Sequence, residues 1–417
     1  MTGTVVVVGA SVGGARTAQA LRSEGFDGRI VLVGDEPRLP YDKPPLSKQL
    51  LVGTWDTQKI ALLSAEAAER DRIELRLGVA AERLDVAEQN VVLADGSVLG
   101  YDAVVIATGA SARPSPWRAD GVHVLRSLDD SLALQEALRR EGPVVVVGGG
   151  FIGAEVAASA RALGREVTVV DPLPLPIGRV VGAELGPHFT ELHHRHGVAT
   201  RFGAGVEGIE GTAGSLRVQL TDGSELAAAT VVVGIGATPN DGWLASSGLL
   251  IEDGVVCGEF GRTVDAPDVY AVGDVARWYH PGHRTELRVE HWTSAVEQAA
   301  CVAHNIAHPG DLRPHRPVEY VWSDQYDWKI QIVGLPARCP RQQLIGHLDG
   351  AAARAAAVFT DESGMLRGAV VVNWPKALVQ CRRMMADEGR FEDAVERLTQ
   401  LAATPRRTVT PSAAGSR

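Results

Sequence analysis

A chain of 417 residues exceeds what one hydrophobic core usually serves, so two or three domains are expected. Its 45% hydrophobic and 22% charged residues exclude a disordered chain; no run approaches the ~20 apolar residues of a membrane span and no charged leader precedes Val5, so a cytoplasmic protein without membrane insertion is expected. The net charge of −10 disfavours nonspecific nucleic-acid binding, although the stretch from His315 onward carries 14 Lys and Arg against 11 Asp and Glu.

The first predicted element is a buried parallel strand, Thr4 to Val8, followed by the loop Gly9-Ala-Ser-Val-Gly-Gly14 and a helix from about Ala15 to Glu24. Glycines here permit a tight turn and let a helix N-terminus approach a pyrophosphate, whose charge the free N–H groups favour. Ser11 stands where the motif has its second glycine, placing a small hydroxyl donor there; taken alone, the stretch also fits a simple tight turn. A second strand, Ile30 to Val33, ends at Asp35 and Glu36, about where a carboxylate receives ribose hydroxyls.

The pattern then recurs. Val144 to Val147 leads into Gly148-Gly-Gly-Phe-Ile-Gly153, a helix through about Leu163, a strand Val167 to Val170, and Asp171. Gly148, Gly150 and Gly153 complete the motif, and Asp171 stands 23 positions after the first of them. Two units in the same order of strand, glycines, helix, strand and acid imply two bound dinucleotides. Asp171 is expected to accept from a ribose 2′-hydroxyl and to repel a 2′-phosphate, favouring NAD(H) over NADP(H), with Arg165 and Arg179 near enough in sequence to temper the preference.

Four further segments carry a family resemblance: Leu39-Pro-Tyr-Asp-Lys-Pro-Pro-Leu-Ser-Lys48; Asp102-Ala-Val-Val-Ile-Ala-Thr-Gly109 with Arg113 beyond it; Val231 to Pro239 around Gly234-Ile-Gly236; and Val269-Tyr-Ala-Val-Gly-Asp274. Together they resemble the FAD-dependent pyridine-nucleotide oxidoreductases, specifically the ferredoxin-reductase group serving aromatic-ring dioxygenases and haem-thiolate monooxygenases. The likeness covers nearly the whole chain. It implies an α/β fold of the glutathione-reductase-like kind, with two Rossmann-like dinucleotide-binding domains and a C-terminal α/β domain. The NAD domain (114–240) would be inserted in the FAD domain (1–113 and 241–314), with the third domain over 315–417 and a frayed tail from Pro405 to Arg417. Relatives with a redox disulfide carry cysteines near the proline-rich loop. This chain has none there, and Cys257, Cys301, Cys339 and Cys381 lack CxxC spacing, so they are read as small core residues.

The resemblance also implies site residues. For FAD these are Gly9, Ser11, Gly14, Asp35, Glu36, Lys43, Pro44, Lys48, Ala107, Thr108, Gly109, Arg113, Asp274, Glu290, His291, Trp292 and Trp322. For NAD(H) they are Gly148, Gly150, Phe151, Ile152, Gly153, Glu155, Asp171, Arg179, Gly234, Ile235 and Gly236. Lys48 and Glu155 are implied to pair beside flavin N5, where a lysine stabilises negative charge on the reduced ring and the carboxylate fixes its position. Nicotinamide C4 would stack against N5 at near-attack distance, with Phe151 packed at that pocket. Glu290-His291-Trp292 precedes a predicted helix, Thr293 to His304, whose N-terminus would face the flavin O2 region. Trp322 would reach over the isoalloxazine; as a bare tryptophan it fits a domain interface equally well.

The implied activity is that of an NADH-dependent ferredoxin reductase, catalytic residues Lys48, Glu155 and Trp322, passing electrons through FAD to a two-iron two-sulfur ferredoxin that supplies an oxygenase. Arg316, Lys329, Lys376, Arg382 and Arg383 are candidates for a basic docking surface, and a monomer or weak homodimer is expected. An NADH oxidase or quinone reductase, and a flavin-binding signalling protein resembling apoptosis-inducing factor, are the alternative readings. His188, His193, His194 and His196 crowd a predicted helix end, where they are read as a solvated face, and no metal is expected. No HExxH motif is present to support hydrolysis.

Overall fold

The computed structural model describes residues 3–350 and 352–403, with the side chain of Arg179 outside that set. The tail expected from Pro405 to Arg417 lies outside the described residues. β1 (Thr4–Val8) is a valine run whose members are at most 2% exposed, as a strand covered on both faces must be. Burying each such valine contributes about 1.5 kcal/mol. The helix that follows, α1 (Val12–Ser23), begins earlier than the expected Ala15, because Ser11 in an extended conformation is already its N-cap and Gly13 and Gly14 form its first turn. β1 pairs in parallel with β2 (Arg29–Gly34) and with Ala103–Ile106; Ile73–Leu77 and Val269–Ala271 complete a five-stranded sheet.

The same unit is built a second time. β3 (Val144–Val147), α2 (Phe151–Ala162) and β4 (Val167–Asp171) form the centre of another five-stranded parallel sheet, flanked by Ala199–Phe202 and by Thr230–Val233 and Val122–His123. Gly9 and Gly148 occupy matching positions at φ +116° and +111°, where a Cβ would stand 2.1 Å from the Ala107 carbonyl oxygen and 2.2 Å from that of Gly234. Gly14 and Gly153 let each helix lie against its own loop, since a Cβ there would meet the Gly9 or Gly148 carbonyl at 1.8 or 1.9 Å.

All strands of the second sheet fall in sequence between Ala103–Ile106 and Val269–Ala271 of the first. The chain leaves and returns through a two-stranded antiparallel ribbon, Ala110–Ala112 with Ala237–Pro239. Asn240 braces this crossing: it accepts from the Thr108 hydroxyl at its carbonyl (2.7 Å), donates its amide to the Thr108 carbonyl (2.9 Å) and accepts from Ser111 at 2.7 Å.

Late in the chain come α3 (Trp292–Ala307) and β5 (Tyr320–Gln325), the edge of a five-stranded antiparallel sheet. Helices Pro375–Ala386 and Phe391–Ala403 cover one face of that sheet through Trp374, Cys381, Phe391 and Leu398. The other face packs Trp328 and Ile332 against Phe189 and Leu192 of helix Gly186–Arg195.

This docking corrects the reading of the histidines. His193 is 1% exposed with its Nδ1 2.7 Å from the Tyr326 hydroxyl, and the His196 ring stacks on Tyr326 at 4.3 Å. The helix end that looks solvated locally is covered by the Tyr326 turn of the third sheet, while His194 stays exposed beside Thr200 at 2.8 Å. Burial pushes the Cys301 and Cys339 thiols up to about 11 and Cys381 up to about 12, and all the cysteines are free. Among the described residues no helix is long and apolar enough to cross a membrane.

Candidate active site

The proline-rich loop and α2 build the centre of the site. Pro44 and Pro45 fix the opening of a 3-10 turn, Pro44–Ser47, which carries Ser47 inward and ends at Lys48. Facing it, Glu155 sits in α2 at 4% exposure and accepts from Lys48 Nζ at 2.8 Å and from Ser47 Oγ at 2.5 Å. Its second oxygen accepts from Ser323 Oγ of β5 at 2.7 Å, and Gln325 donates to that hydroxyl at 3.2 Å. Ser159, one turn further along α2, donates to the Ser47 carbonyl at 2.7 Å. One buried carboxylate thus joins segments from three regions of the chain, with every donor aimed at its charged form. Lys48 and Glu155, the pair that the family resemblance implies, meet in the structure; Ser47 and Ser323 carry no local sequence signal.

Around this centre, Trp292 Nε1 donates to Asp42 at 2.7 Å, and burial raises the Asp42 carboxyl against the opposing pull of that bond and of Arg16 and Lys48. Trp292 and Trp322 meet edge to face with centroids 6.0 Å apart, and Tyr320 lies roughly parallel to Trp322 at 6.1 Å. His291, the N-cap of α3, has a buried Nδ1 with no partner among the described residues, and burial holds its imidazole down to about 4. Glu290 is exposed and paired with Arg288 at 2.6 Å. α3 begins at Trp292, not Thr293, and runs to Ala307.

Asp274 is not alone at its turn. Arg126 reaches its carboxylate at 2.6 Å and also donates to the Ala110 carbonyl at 2.7 Å, while Arg288 donates to the Asp274 carbonyl at 3.2 Å. Arg126 is a loop arginine that no motif marks. Lys43 lies 3.7 Å from Glu36 and over the Tyr41 ring at 5.1 Å; burial, with Arg126 nearby, lowers its ammonium. Glu36 receives the Tyr41 hydroxyl at 2.7 Å, whereas Asp35 is exposed at the end of β2. Arg113 donates to the Ala237 carbonyl at 3.3 Å, tying the outgoing crossover next to Ala107, Thr108 and Gly109 to the returning one.

At the second loop Asp171 ends β4 and accepts from the backbone N–H groups of Gly149 (2.7 Å) and Leu173 (2.8 Å). Arg165 lies at the opposite end of that strand and donates to the Leu163 and Arg140 carbonyls, so it does not face Asp171. Arg179 falls in helix Gly178–Val181, its side chain outside the described residues. Phe151 packs against the cluster holding Trp328 and Ile330. Ile152 and Ile235 are 45% and 40% exposed beside Gly150, Gly234 and Gly236, and a Cβ on Gly150 would meet nothing within 4 Å.

These features fit two dinucleotides. Neither α1 nor α2 has a side-chain cap, so the N-terminal N–H groups behind Ser11 and Gly150 stay available to an anion. Of the basic residues, Arg316, Arg382 and Arg383 line one open cleft of about 500 Å³ with Glu297 and His315. Arg382 stacks on Tyr320 at 4.9 Å. Lys329 and Lys376 are exposed near Asn373, which accepts from the Lys329 N–H at 2.8 Å.

Residues 3–299 match the family model "Pyridine nucleotide-disulphide oxidoreductase", and residues 320–402 match "Reductase C-terminal". The chain is 36% identical over 389 residues to rhodocoxin reductase of Rhodococcus erythropolis, covering 92% of this chain and 90% of that one. It is 32% identical over 392 residues to putidaredoxin reductase CamA of Pseudomonas putida, covering 92% of each. Among solved structures, the covalent putidaredoxin reductase–putidaredoxin complex superposes with a TM-score of 0.89 at 30% identity, over 97% of this chain and 99% of that one. A ferredoxin reductase from Rhodopseudomonas palustris gives 0.90 at 33% identity, over 96% and 100%. With its glycine loops, its crossovers and this likeness running through nearly all of its length, the chain belongs to the pyridine nucleotide-disulphide oxidoreductase family, as a member with Ser47 and Lys48 in a proline-rich loop that holds no cysteine.

Proposed function

We propose that this protein is an NADH-dependent ferredoxin reductase that carries electrons from NADH through FAD to a two-iron two-sulfur ferredoxin serving an oxygenase. It is an oxidoreductase enzyme, and its cofactors are FAD and NAD(H). The observation that carries the reading of its centre is Glu155, buried between the proline-rich loop, α2 and β5 with Lys48 as its ion partner. We divide the chain into an FAD domain over 1–113 and 241–314, an NAD domain over 114–240 and a C-terminal domain from 315, a division supported by the three five-stranded sheets.

Bound flavin supplies the chemistry of taking up a hydride and releasing electrons singly. The chain's own residues do the rest. Lys48, oriented by Glu155, would offer its ammonium to the negative charge of a reduced flavin. Ser47 and Ser323 hold the carboxylate so that the ammonium cannot swing away. Ser11 and the α1 N-terminus would receive the FAD pyrophosphate, and Asp274, oriented by Arg126 and Arg288, would hold the cofactor's polar chain. Gly148, Gly150 and Gly153 leave room for the second pyrophosphate, and Asp171 selects a free 2′-hydroxyl. Trp292 and Trp322 exclude water over the centre. The stack from Trp322 through Tyr320 to Arg382 leads to the basic cleft, which suits an acidic protein partner.

The testing experiment is stopped-flow reduction of the purified yellow protein by NADH and by NADPH, followed by turnover with a two-iron two-sulfur ferredoxin and cytochrome c. Fast bleaching by NADH and ferredoxin-dependent turnover are expected. A flavin that is reduced but turns over only with quinone or oxygen would refute the ferredoxin assignment.

A further inference from the structure

At the far end of α3 from Trp292, about 18 Å along the helix, a second set of chemically distinctive side chains converges. His304 and His308, one turn apart, both point at Glu24, the C-cap of α1: Glu24 Oε2 lies 3.0 Å from His304 Nδ1 and 3.2 Å from His308 Nε2. His304 is 6% exposed, whereas His308 and Glu24 are 43% and 34% exposed, so the cluster is rooted in the protein and open on one side.

The hydrogen bonding on the far side of His304 decides what this cluster can hold. His304 Nε2 lies 2.9 Å from the Asp311 carbonyl oxygen, which can only accept, so Nε2 carries the proton. In the neutral ring Nδ1 is then a bare lone pair, directed at a carboxylate oxygen 3.0 Å away. Two acceptors at that distance repel unless a cation stands between them or the buried ring is itself charged. A ring N–H given to a backbone carbonyl is also how metal-bound histidines are usually oriented.

The spacing suits an ion as well. Tetrahedral zinc with ligands at about 2.0–2.1 Å sets neighbouring donors roughly 3.3 Å apart, so the measured 3.0 and 3.2 Å need only slight opening. Glu24 caps α1, and His304 and His308 lie in the last turn and at the C-cap of α3, so the negative ends of both helix dipoles meet here.

A second grouping, His280, His283 and Glu319, lacks this arrangement. His280 Nδ1 accepts from the His283 backbone N–H at 3.2 Å, which leaves the proton on the Nε2 that faces Glu319 and denies that nitrogen to a metal while the ring is neutral.

We propose that Glu24, His304 and His308 bind one divalent transition-metal ion of the zinc class, with the open position taken by water, and that this ion staples the C-terminus of α1 to that of α3. Its donor set, two imidazoles and a carboxylate, suits zinc, copper or nickel better than calcium or magnesium. The site departs from the expectation of a metal-free chain and does not depend on the identity of the electron acceptor.

Untagged, flavin-bound protein stripped with a chelator should take up one zinc per chain when titrated with ZnCl2 in a calorimeter, with the count checked by elemental analysis. His308→Ala, at the most exposed ligand, should weaken uptake more than tenfold and abolish the rise in melting temperature that zinc gives the wild type, while NADH-dependent bleaching stays unchanged. Glu24→Gln should weaken uptake in the same direction, and His283→Ala should leave it intact. Absence of uptake by the wild type, or uptake by H308A equal to that of the wild type, would overturn the proposal.

Discussion

Replacing Glu155 with Gln removes one charge and leaves a side chain of the same shape. The native carboxylate accepts from Lys48 at 2.8 Å, Ser47 at 2.5 Å and Ser323 at 2.7 Å. At 2.8 Å and an effective dielectric near 20, its attraction to Lys48 is about 6 kcal/mol before desolvation. Desolvation of two buried charges offsets most of that, leaving a coupling of about 1–3 kcal/mol in a double-mutant cycle with Lys48→Met. The single change also strands the Lys48 ammonium, 12% exposed, at a cost of about 3 kcal/mol. Moreover, with the Gln oxygen kept toward Lys48 and Ser47 its amide N–H2 faces Ser323, whose hydroxyl must turn from donor to acceptor. Thermal unfolding of the flavin-bound protein and single-turnover reduction by NADH should both report it. E155Q is expected to melt earlier and to bleach about tenfold to a hundredfold more slowly, and K48M/E155Q should bleach no more slowly than the worse single variant. Strictly additive losses in the cycle would refute the idea that the two residues act as one unit.

Three further outcomes are expected. Reversing Arg382 and Arg383 to Glu should slow ferredoxin reduction about tenfold or more at low ionic strength and progressively less as salt is added, with NADH bleaching unchanged; identical salt profiles would remove these residues from the docking surface. Asp171→Ala deletes the acceptor for Gly149 and Leu173 as well as the expected ribose contact, so the KM for NADH should rise about tenfold while discrimination against NADPH falls. Burial lowers His193 from 6.5 to about 4, so over that interval the unfolded chain takes up a proton that the native protein refuses. Stability is therefore intact above pH 6.5 and declines as the pH falls toward 4. His193→Gln should make the decline shallower in denaturant midpoints without removing it, since His291 and His315 are displaced in the same direction to about 4.

Much of the fold was legible because its signals are local. The valine runs of β1 and β3, the glycines after them and the acid at the end of β4 each act within one βαβ unit, where strand burial and loop geometry depend on near neighbours. The Lys48–Glu155 contact was accessible only through family likeness, since 107 residues separate the partners. What escaped was set by docking. Ser323 gains its role when β5 arrives at α2, and His193 is buried by a turn 133 residues away, so the local pattern around each reads as ordinary surface. Arg126 likewise finds Asp274 across 148 residues. The start of α1 differs from the sequence expectation for a local reason: Gly13 and Gly14 have the composition of a loop but occupy the helix's first turn.

The brace at Asn240 fixes where the inserted segment leaves and rejoins the rest of the chain. Because the outgoing and incoming strands run side by side, the intervening segment begins and ends at nearly one point in space. A folded unit whose two ends coincide can be spliced into a host, exchanged or duplicated without stretching the host's own sheet. In this protein the second sheet lies in sequence inside the first, and both passages between them run through that single seam.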